Sequence, residues 1–378
     1  KLATAPPPLP PSIDAGEVAP TETGARTGCD CWIAPDASYT TVDNNTQWNA
    51  SGWQNGDDGS NGPIAIPFQF NLYGTSYNVV YININGNLSF GNGNYYGQFS
   101  SDGFPVNGFA MVAPFWADVD LRGAGCTNCN IVQYKVTPTA MYVNWTRVGY
   151  YSMQTNMLNT FQVVITDGID PVVPNGANVS FCYKDMQWTT GSASGGVGGF
   201  GGTPANVGAN KGGGVSYMQF GRFDHAGNDY DGPFGGNDGV SWLDDKHLMF
   251  TTNQTSANVP PVITSASVCD SLVLCVGEQA TLEVEFLSPE PNQVTSSTSS
   301  APTLSNWNVV SSTSGLVSTI TVQFTPLPTD VGYHLVTFSG TDNGSPVLTS
   351  TLSVVVHVIQ GGNIAPGSLT VCDNGASV

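Results

Sequence analysis

Apolar and polar residues alternate one for one along many short stretches of this chain, which is the period of a half-buried β-strand. The clearest stretches in the first part are Tyr77–Ile84, Ile131–Val136, Met141–Trp145, Phe161–Ile165, Val179–Tyr183 and Val215–Phe220. Turn signals such as Asn85-Gly86-Asn87 and Asp167-Gly168 separate them. The glycine-rich segment Gly191–Gly214 reads as a long ordered loop. At Asn258-Val259-Pro260-Pro261 the composition shifts, and strands resume at Ala280–Phe286, Val317–Phe324, Tyr333–Thr341 and Thr351–Ile359. A Ser/Thr stretch, Thr295–Thr319, has the composition of a mucin-like stalk, but Trp307, Val309 and Val310 interrupt it with strand character. Runs of Ala, Leu, Glu, Lys and Arg long enough for an extended helix are absent.

The expected fold is therefore all-β. A large antiparallel sandwich-type domain is expected at 29–257, then an immunoglobulin-like β-sandwich at 258–360, whose roughly 100 residues and about seven strands suit that architecture. Residues 1–28, with Pro6 to Pro11, read as an extended, mature N-terminal segment without a signal peptide. Ser267-Val268-Cys269-Asp270 recurs as Leu369-Thr370-Val371-Cys372-Asp373, so 361–378 are expected to open a further module of a tandem array.

Charge narrows the partners. Nine Lys and Arg stand against 28 Asp and Glu, a net charge of −19. A polyanion would be repelled, which excludes nucleic acid. Charged residues make up 10% of the chain, against about 25% in an ordinary globular protein. Lys and Arg are missing altogether after Lys246, a one-signed surface suited to surroundings rich in divalent cations. No apolar run approaches a membrane span, so no transmembrane segment is expected in this portion.

Eight cysteines lie at 29, 31, 126, 129, 182, 269, 275 and 372. Cys29, Cys31, Cys126 and Cys129 read as two disulfides tying the domain's start to a loop, with a four-thiolate zinc site as the alternative. Cys269 and Cys275 are placed to close a small loop, Cys182 reads as a buried thiol, and Cys372 as a partner for a residue further on. Asn-X-Ser/Thr sequons at Asn44, Asn49, Asn87, Asn144, Asn178, Asn253 and Asn343 are compatible with export and glycosylation.

The most specific passage is Phe104-Pro105-Val106-Asn107-Gly108-Phe109-Ala110-Met111-Val112-Ala113-Pro114-Phe115-Trp116-Ala117-Asp118-Val119-Asp120. Upstream stands Ile84-Asn85-Gly86-Asn87-Leu88-Ser89-Phe90, and downstream Asn159-Thr160-Phe161-Gln162 and Phe181–Gly191. Together these resemble the extracellular domain shared by nidogen, α-tectorin and a membrane mucin, over about residues 60–250. That resemblance implies an extracellular matrix or surface-adhesion role with no established enzymatic activity. In the second part, Thr325-Pro326-Leu327-Pro328-Thr329-Asp330-Val331-Gly332 and Gly340-Thr341-Asp342-Asn343-Gly344 resemble the PKD- or cadherin-like modules of large bacterial surface adhesins. There Ser288 replaces the first acid expected of an intermodule calcium site. Asp270-Ser271-Leu272 resembles an O-glycosylation signal of gliding bacteria, making Ser271 a candidate acceptor.

The residues themselves suggest chemistry as well. Period two puts Asp118 and Asp120 on one face, where two carboxylates repel unless a cation or backbone amides satisfy them. A second acidic, glycine-spaced cluster holds Asp224, Asp229, Asp231 and Asp238, with Asp244 and Asp245. Calcium is the expected cofactor at these positions, with turn capping the competing explanation. Trp48, Trp53, Tyr95, Tyr96, Tyr150 and Tyr151 keep a glycan-binding reading open. His225 follows Asp224 in a loop, while His334 and His357 lie on expected strands; neither a Gly-x-Ser-x-Gly elbow nor a His-Glu-x-x-His run occurs. No catalytic residues are assigned, and no spacing selects an acid pair for hydrolysis. The expected function is a non-enzymatic cell-surface adhesion or filament protein. Its expected partners are other surface or matrix proteins, glycans and further modules of the same chain, with a lectin-like module as the alternative and a secreted hydrolase as a remote one.

Overall fold

The computed structural model describes residues 31–48, 56–93, 95, 97–174, 176–253, 258–266, 268, 271–290 and 292–360. The proline-rich lead, Cys29, Asn49, Trp53, Tyr96, Cys269, Cys372 and the expected further module at 361–378 lie outside the described residues. Among those described, the helical segments are three short 3-10 turns, at Ser192–Ser194, Val240–Leu243 and Pro328–Asp330. Everything else regular is strand, and the fold is all-β. No described helix is long and apolar enough to cross a membrane.

Alternation builds the strands as expected. Ile131–Val136 and Val317–Phe324 have the expected bounds, and in the latter Ser318, Ile320, Val322 and Phe324 are buried while the residues between them are only partly so. Several strands escaped the sequence pattern, and two of them show why. Ser60–Leu72 carries Pro63 and Pro67, which argue against a strand, but it is the edge of its sheet. There a missing N–H costs no ladder bond, and the register shifts between Ala65 and Phe70, across Pro67. Ala205–Asn210 lies inside the segment expected to be a loop. Its small residues form a wholly buried strand between Met111–Trp116 and Tyr217–His225, with a bulge between Val207 and Gly208.

A seven-stranded sheet runs in the order Asp238–Gly239, Tyr217–His225, Ala205–Asn210, Met111–Trp116, Asn87–Phe90, Thr75–Asn83, Ser60–Leu72. Opposite it lies the first part of a ten-stranded sheet: Thr40–Thr41, Ile131–Val136, Ala140–Tyr150, Gln154–Thr166, Val179–Asp185 and His247–Phe250. Aromatic rings interleave across the gap. Phe115 meets Phe161 at 5.7 Å, and Phe220 meets Phe181 at 6.3 Å and Phe250 at 5.0 Å. Polar tips bridge the same layer: Tyr183 donates its hydroxyl to the Pro114 carbonyl at 2.6 Å, and Trp145 Nε1 donates to the Ile84 carbonyl at 3.2 Å.

The ten-stranded sheet does not stop at the composition shift. It continues through Val262–Ala266, Ala280–Leu287, Val317–Phe324 and Asn308–Ser312, joined by the pairing of Met249 with Ile263. A five-stranded sheet, Ser271–Cys275, Thr349–Ile359, Gly332–Thr341, Thr295–Ser300 and Ser314–Gly315, packs on this extension. Val284, Phe286, Val322, Val336, Phe338 and Val356 are among the residues of the core between them. Trp307, from the Ser/Thr-rich stretch, packs against Phe324 in a tilted arrangement at 5.0 Å. Val259, Val262 and Leu287 belong to the first core rather than the second, so apolar packing is shared across the junction.

Cys182 is not a free thiol. It is buried and joined to Cys31, 151 residues earlier, with a Cα separation of 5.7 Å. The pairing is possible because the N-terminal segment crosses the sheet: Ile33 N–H donates to Gln162 Oε1 at 3.3 Å, and Gln162 Nε2 donates back to the Ile33 carbonyl at 2.8 Å. Cys126 pairs with Cys129 inside its own loop and so does not reach Cys31. Cys275 is also disulfide-bonded.

Candidate functional site

The Asn85-Gly86-Asn87 turn is pressed against the end of the Met111–Trp116 strand. Phe115 N–H donates to the Gly86 carbonyl at 3.2 Å, and a Cβ on Gly86 would stand 1.9 Å from the Phe115 carbonyl oxygen. Its φ of +75° lies in the left-handed region as well. Asn85 then organises the chain past Trp116. Its carbonyl accepts from Ala117 N–H at 3.2 Å and its Oδ1 from Val119 N–H at 3.0 Å. With Nδ2 it reaches Asp58 Oδ1 at 2.9 Å. One asparagine thus ties the Gly56-Asp57-Asp58-Gly59 turn to the Ala117–Asp120 segment.

The result is a group of three carboxylates, Asp57, Asp58 and Asp118, each offering an oxygen within 4.8 Å of the others. Asp57 is 6% and Asp118 2% exposed. Asp118 Oδ2 rests against Gly191, where an added Cβ would lie 2.3 Å away; here glycine answers a close approach, since its φ is an ordinary −75°. Asp57 Oδ1 and Asp118 Oδ2 are buried without a hydrogen-bond partner among the described residues. Burial is the main force on both acids, with neighbouring carboxylates adding to it. Asp57 is pushed up to about 7, against the opposing pull of Arg122, and Asp118 to about 8. Burial raises Asp58 as well.

Asp120 is spoken for. Arg122 grips it through Nε at 2.8 Å and a terminal nitrogen at 2.6 Å, while the same nitrogen reaches Asp57 Oδ2 at 2.8 Å. Met153 N–H donates to Asp120 at 2.9 Å. The strand ends at Trp116, and Asp118 and Asp120 flank Val119, which bridges to Tyr150; Asp120 is matched by Arg122, while Asp118 gathers with the two turn acids. Three acids and an all-oxygen donor set can hold a hard cation; with no histidine or cysteine among them, the set does not suit zinc or copper.

The second acidic cluster is held together differently. Asp224 and Asp229 bracket His225 through its two ring nitrogens. The buried Asp238 accepts from Arg222 N–H at 3.0 Å and Asp231 N–H at 2.8 Å, fixing the loop. Asp244 accepts from Met186 N–H at 2.9 Å, and burial lifts it to about 6. Among the described residues these acids do not converge on a shared ion position.

Several surface expectations are corrected by burial. Asn87, Asn144 and Asn178 are fully buried and cannot carry a glycan in this fold. Asn44 is half-buried, holding the Asn130 carbonyl and Trp48 Nε1, whereas Asn253, Asn343 and Ser271 are exposed. Trp48 is a core residue and Tyr150 packs at 5.3 Å on Trp188, which leaves Tyr95 exposed and Tyr151 under Arg122 as available sugar-stacking faces. Ser180 and His247 lie 2.9 Å apart, but His247 Nδ1 meets no carboxylate among the described residues, and burial depresses the imidazole to about 4. That is a neutral structural pair rather than a nucleophile with its base.

Residues 33–220 match the family model described as NIDO related. That stretch of the first unit is therefore similar to NIDO-related domains. Chicken alpha-tectorin is 35% identical over 181 residues, 41% of this chain and 8% of that protein. Human alpha-tectorin is 34% identical over 191 residues, 42% of the chain and 8% of the relative. Nidogen of Drosophila melanogaster is 26% identical over 149 residues, covering 33% and 10%. The chain thus spans a tenth or less of the length of these relatives. A solved nucleoside hydrolase-related protein from Saccharophagus degradans superposes at a TM-score of 0.20, with 18% identity over 29% of this chain and 28% of its own, a likeness too weak to bear on activity. In this first unit the recognised motifs supply Asn85 and Asp118, while Asp57 and Asp58 were not singled out from the sequence. Their only signal was an acid pair between two glycines, and nothing in the sequence links that turn to a segment 60 residues later.

Proposed function

We propose that the chain is part of a non-enzymatic extracellular adhesion or surface-filament protein. In this reading the NIDO-related domain is the contacting unit, and the immunoglobulin-like unit begins a stalk of PKD- or cadherin-like modules. The observation that carries it is the match of residues 33–220 to the NIDO-related family, with alpha-tectorin and nidogen as relatives. Support for the stalk comes from the sheet and core that pass through the junction, since a shared core transmits force better than a flexible linker. The partners are then other surface or matrix proteins.

The test is binding of the fluorescently labelled chain to immobilised matrix proteins and, in parallel, to a glycan array. Saturable protein binding is the expected result. Specific sugar binding lost on Tyr95→Ala or Tyr151→Ala would replace it with the lectin reading, and no saturable binding to either surface would sink the adhesive role.

A further inference from the structure

We propose that Asp57, Asp58 and Asp118 form a binding site for a calcium-class divalent cation that clasps the Gly56–Gly59 turn to the segment following Trp116. Two independent observations support it. Oxygens from the three carboxylates gather within 4.8 Å of one another, a spread that fits around an ion with bonds of roughly 2.3–2.6 Å. Separately, Asp57 Oδ1 and Asp118 Oδ2 are buried in residues 6% and 2% exposed, and neither has a donor among the described residues. A buried carboxylate oxygen is ordinarily hydrogen-bonded or paired. Asp120 meets that requirement through Arg122 and Met153, which shows that the fold can satisfy an acid here with its own donors. Among the described residues, the oxygens of Asp57 and Asp118 are left without such a donor.

Charge points the same way. Four carboxylates, from Asp57, Asp58, Asp118 and Asp120, share one guanidinium, and Arg122 is committed to Asp57 and Asp120. A divalent cation would offset the remaining excess, and a hard one fits the oxygen-only donor set. Gly191 keeps the Asp118 carboxylate seated, because any side chain there would collide with Oδ2. The site ties together two stretches distant in sequence, so the cation would act as a staple on the first unit. The proposal is independent of the adhesive reading: either can fail alone.

The test uses the whole chain and calcium chloride as the probe. Titration calorimetry on the chelator-stripped protein should count one ion with an affinity in the sub-millimolar range typical of extracellular modules, about 10⁻⁴–10⁻³ M. At a hundredfold excess over that constant, the melting temperature of the first unit should rise by about 5–10 °C over the value in chelator. Asp118→Asn, which keeps shape and removes charge, should fold, melt no lower than wild type in chelator, and lose the calcium shift. Asp58→Asn provides the second variant should the buried one not fold, and Asp229→Asn should respond as wild type. Magnesium at the same concentration should give a smaller shift. The proposal is overturned if wild type shows neither heat nor a melting shift. It is equally overturned if Asp58→Asn and any folded Asp118→Asn retain the full response.

Discussion

Removing the Cys31–Cys182 disulfide should cost far more stability than removing Cys126–Cys129, although both are single covalent links. The first closes a loop with a sequence separation of 151, the second one of 3. In the chain-entropy description, the longer cross-link removes about 5 kcal/mol of unfolded-state freedom at 25 °C and the shorter about 2 kcal/mol. The long loop encloses most of the first unit, including both sides of the sandwich and the Asp118 segment. Paired alanine substitutions, C31A/C182A and C126A/C129A, avoid leaving an orphan thiol. Urea unfolding followed by tryptophan fluorescence reports on the right unit, since Trp48, Trp116, Trp145 and Trp188 are all fully buried there. The expected gap between the two variants is about 3 kcal/mol, reduced if the Ile33–Gln162 hydrogen bonds keep the N-terminal segment in place. Equal losses in the two variants would refute the entropic reasoning. A larger loss for C126A/C129A would point instead to a local role of that loop.

Three further outcomes follow from single side chains. Arg122→Met strands Asp120, which is 0% exposed, without its guanidinium, and should cost about 3–5 kcal/mol in the same unfolding assay; Arg122→Lys should recover only part, since an ammonium cannot make the fork. Gly86→Ala combines a φ of +75° with a Cβ 1.9 Å from a backbone carbonyl, and should abolish soluble expression or cost more than about 4 kcal/mol. His247 contributes pH dependence of known sign. Its folded value of about 4 lies below the unfolded value near 6.5, so the unfolded chain takes up the proton first. Stability is lost as pH falls from about 6.5 to about 4, by up to about 3 kcal/mol, and the difference between wild type and His247→Gln should track that window. A difference that stays flat across it would remove His247 as the cause.

Strands were legible wherever alternation was carried by large side chains, as in Val317–Phe324, because burial of every second residue is written directly into the sequence. Ser60–Leu72 and Ala205–Asn210 were not, for opposite reasons. Proline spoils the strand signal of the first, yet an edge position tolerates it. In the second, Ala, Asn and Gly carry almost no apolar signal, but a strand flanked on both sides and covered by the opposite layer needs small residues to fit. The Cys31–Cys182 link was hidden because sequence spacing favours neighbours, and pairing across 151 residues depends on the N-terminal segment lying over the sheet.

The candidate site divides along the same line. Ala113–Asp120 is recognisable as a motif because its residues are contiguous, and contiguity is what a pattern reads. Its chemistry, however, is decided by which groups return from elsewhere. Arg122 comes back to Asp120 from two residues on and neutralises it, so the acid that seemed the natural partner of Asp118 is withdrawn. Asp57 and Asp58 arrive from a glycine-flanked turn and take its place, held there by Asn85 of the other recognisable motif. The two motifs are therefore one device. Gly86 admits the Phe115 carbonyl, Asn85 fixes the backbone beyond it, and the turn so formed aims Asp118 at two acids rather than at solvent. A fold that needed only a stable sandwich could have closed this corner with apolar residues at lower electrostatic cost. The proposed cation would account for keeping three converging carboxylates there, two of whose oxygens have no donor among the described residues.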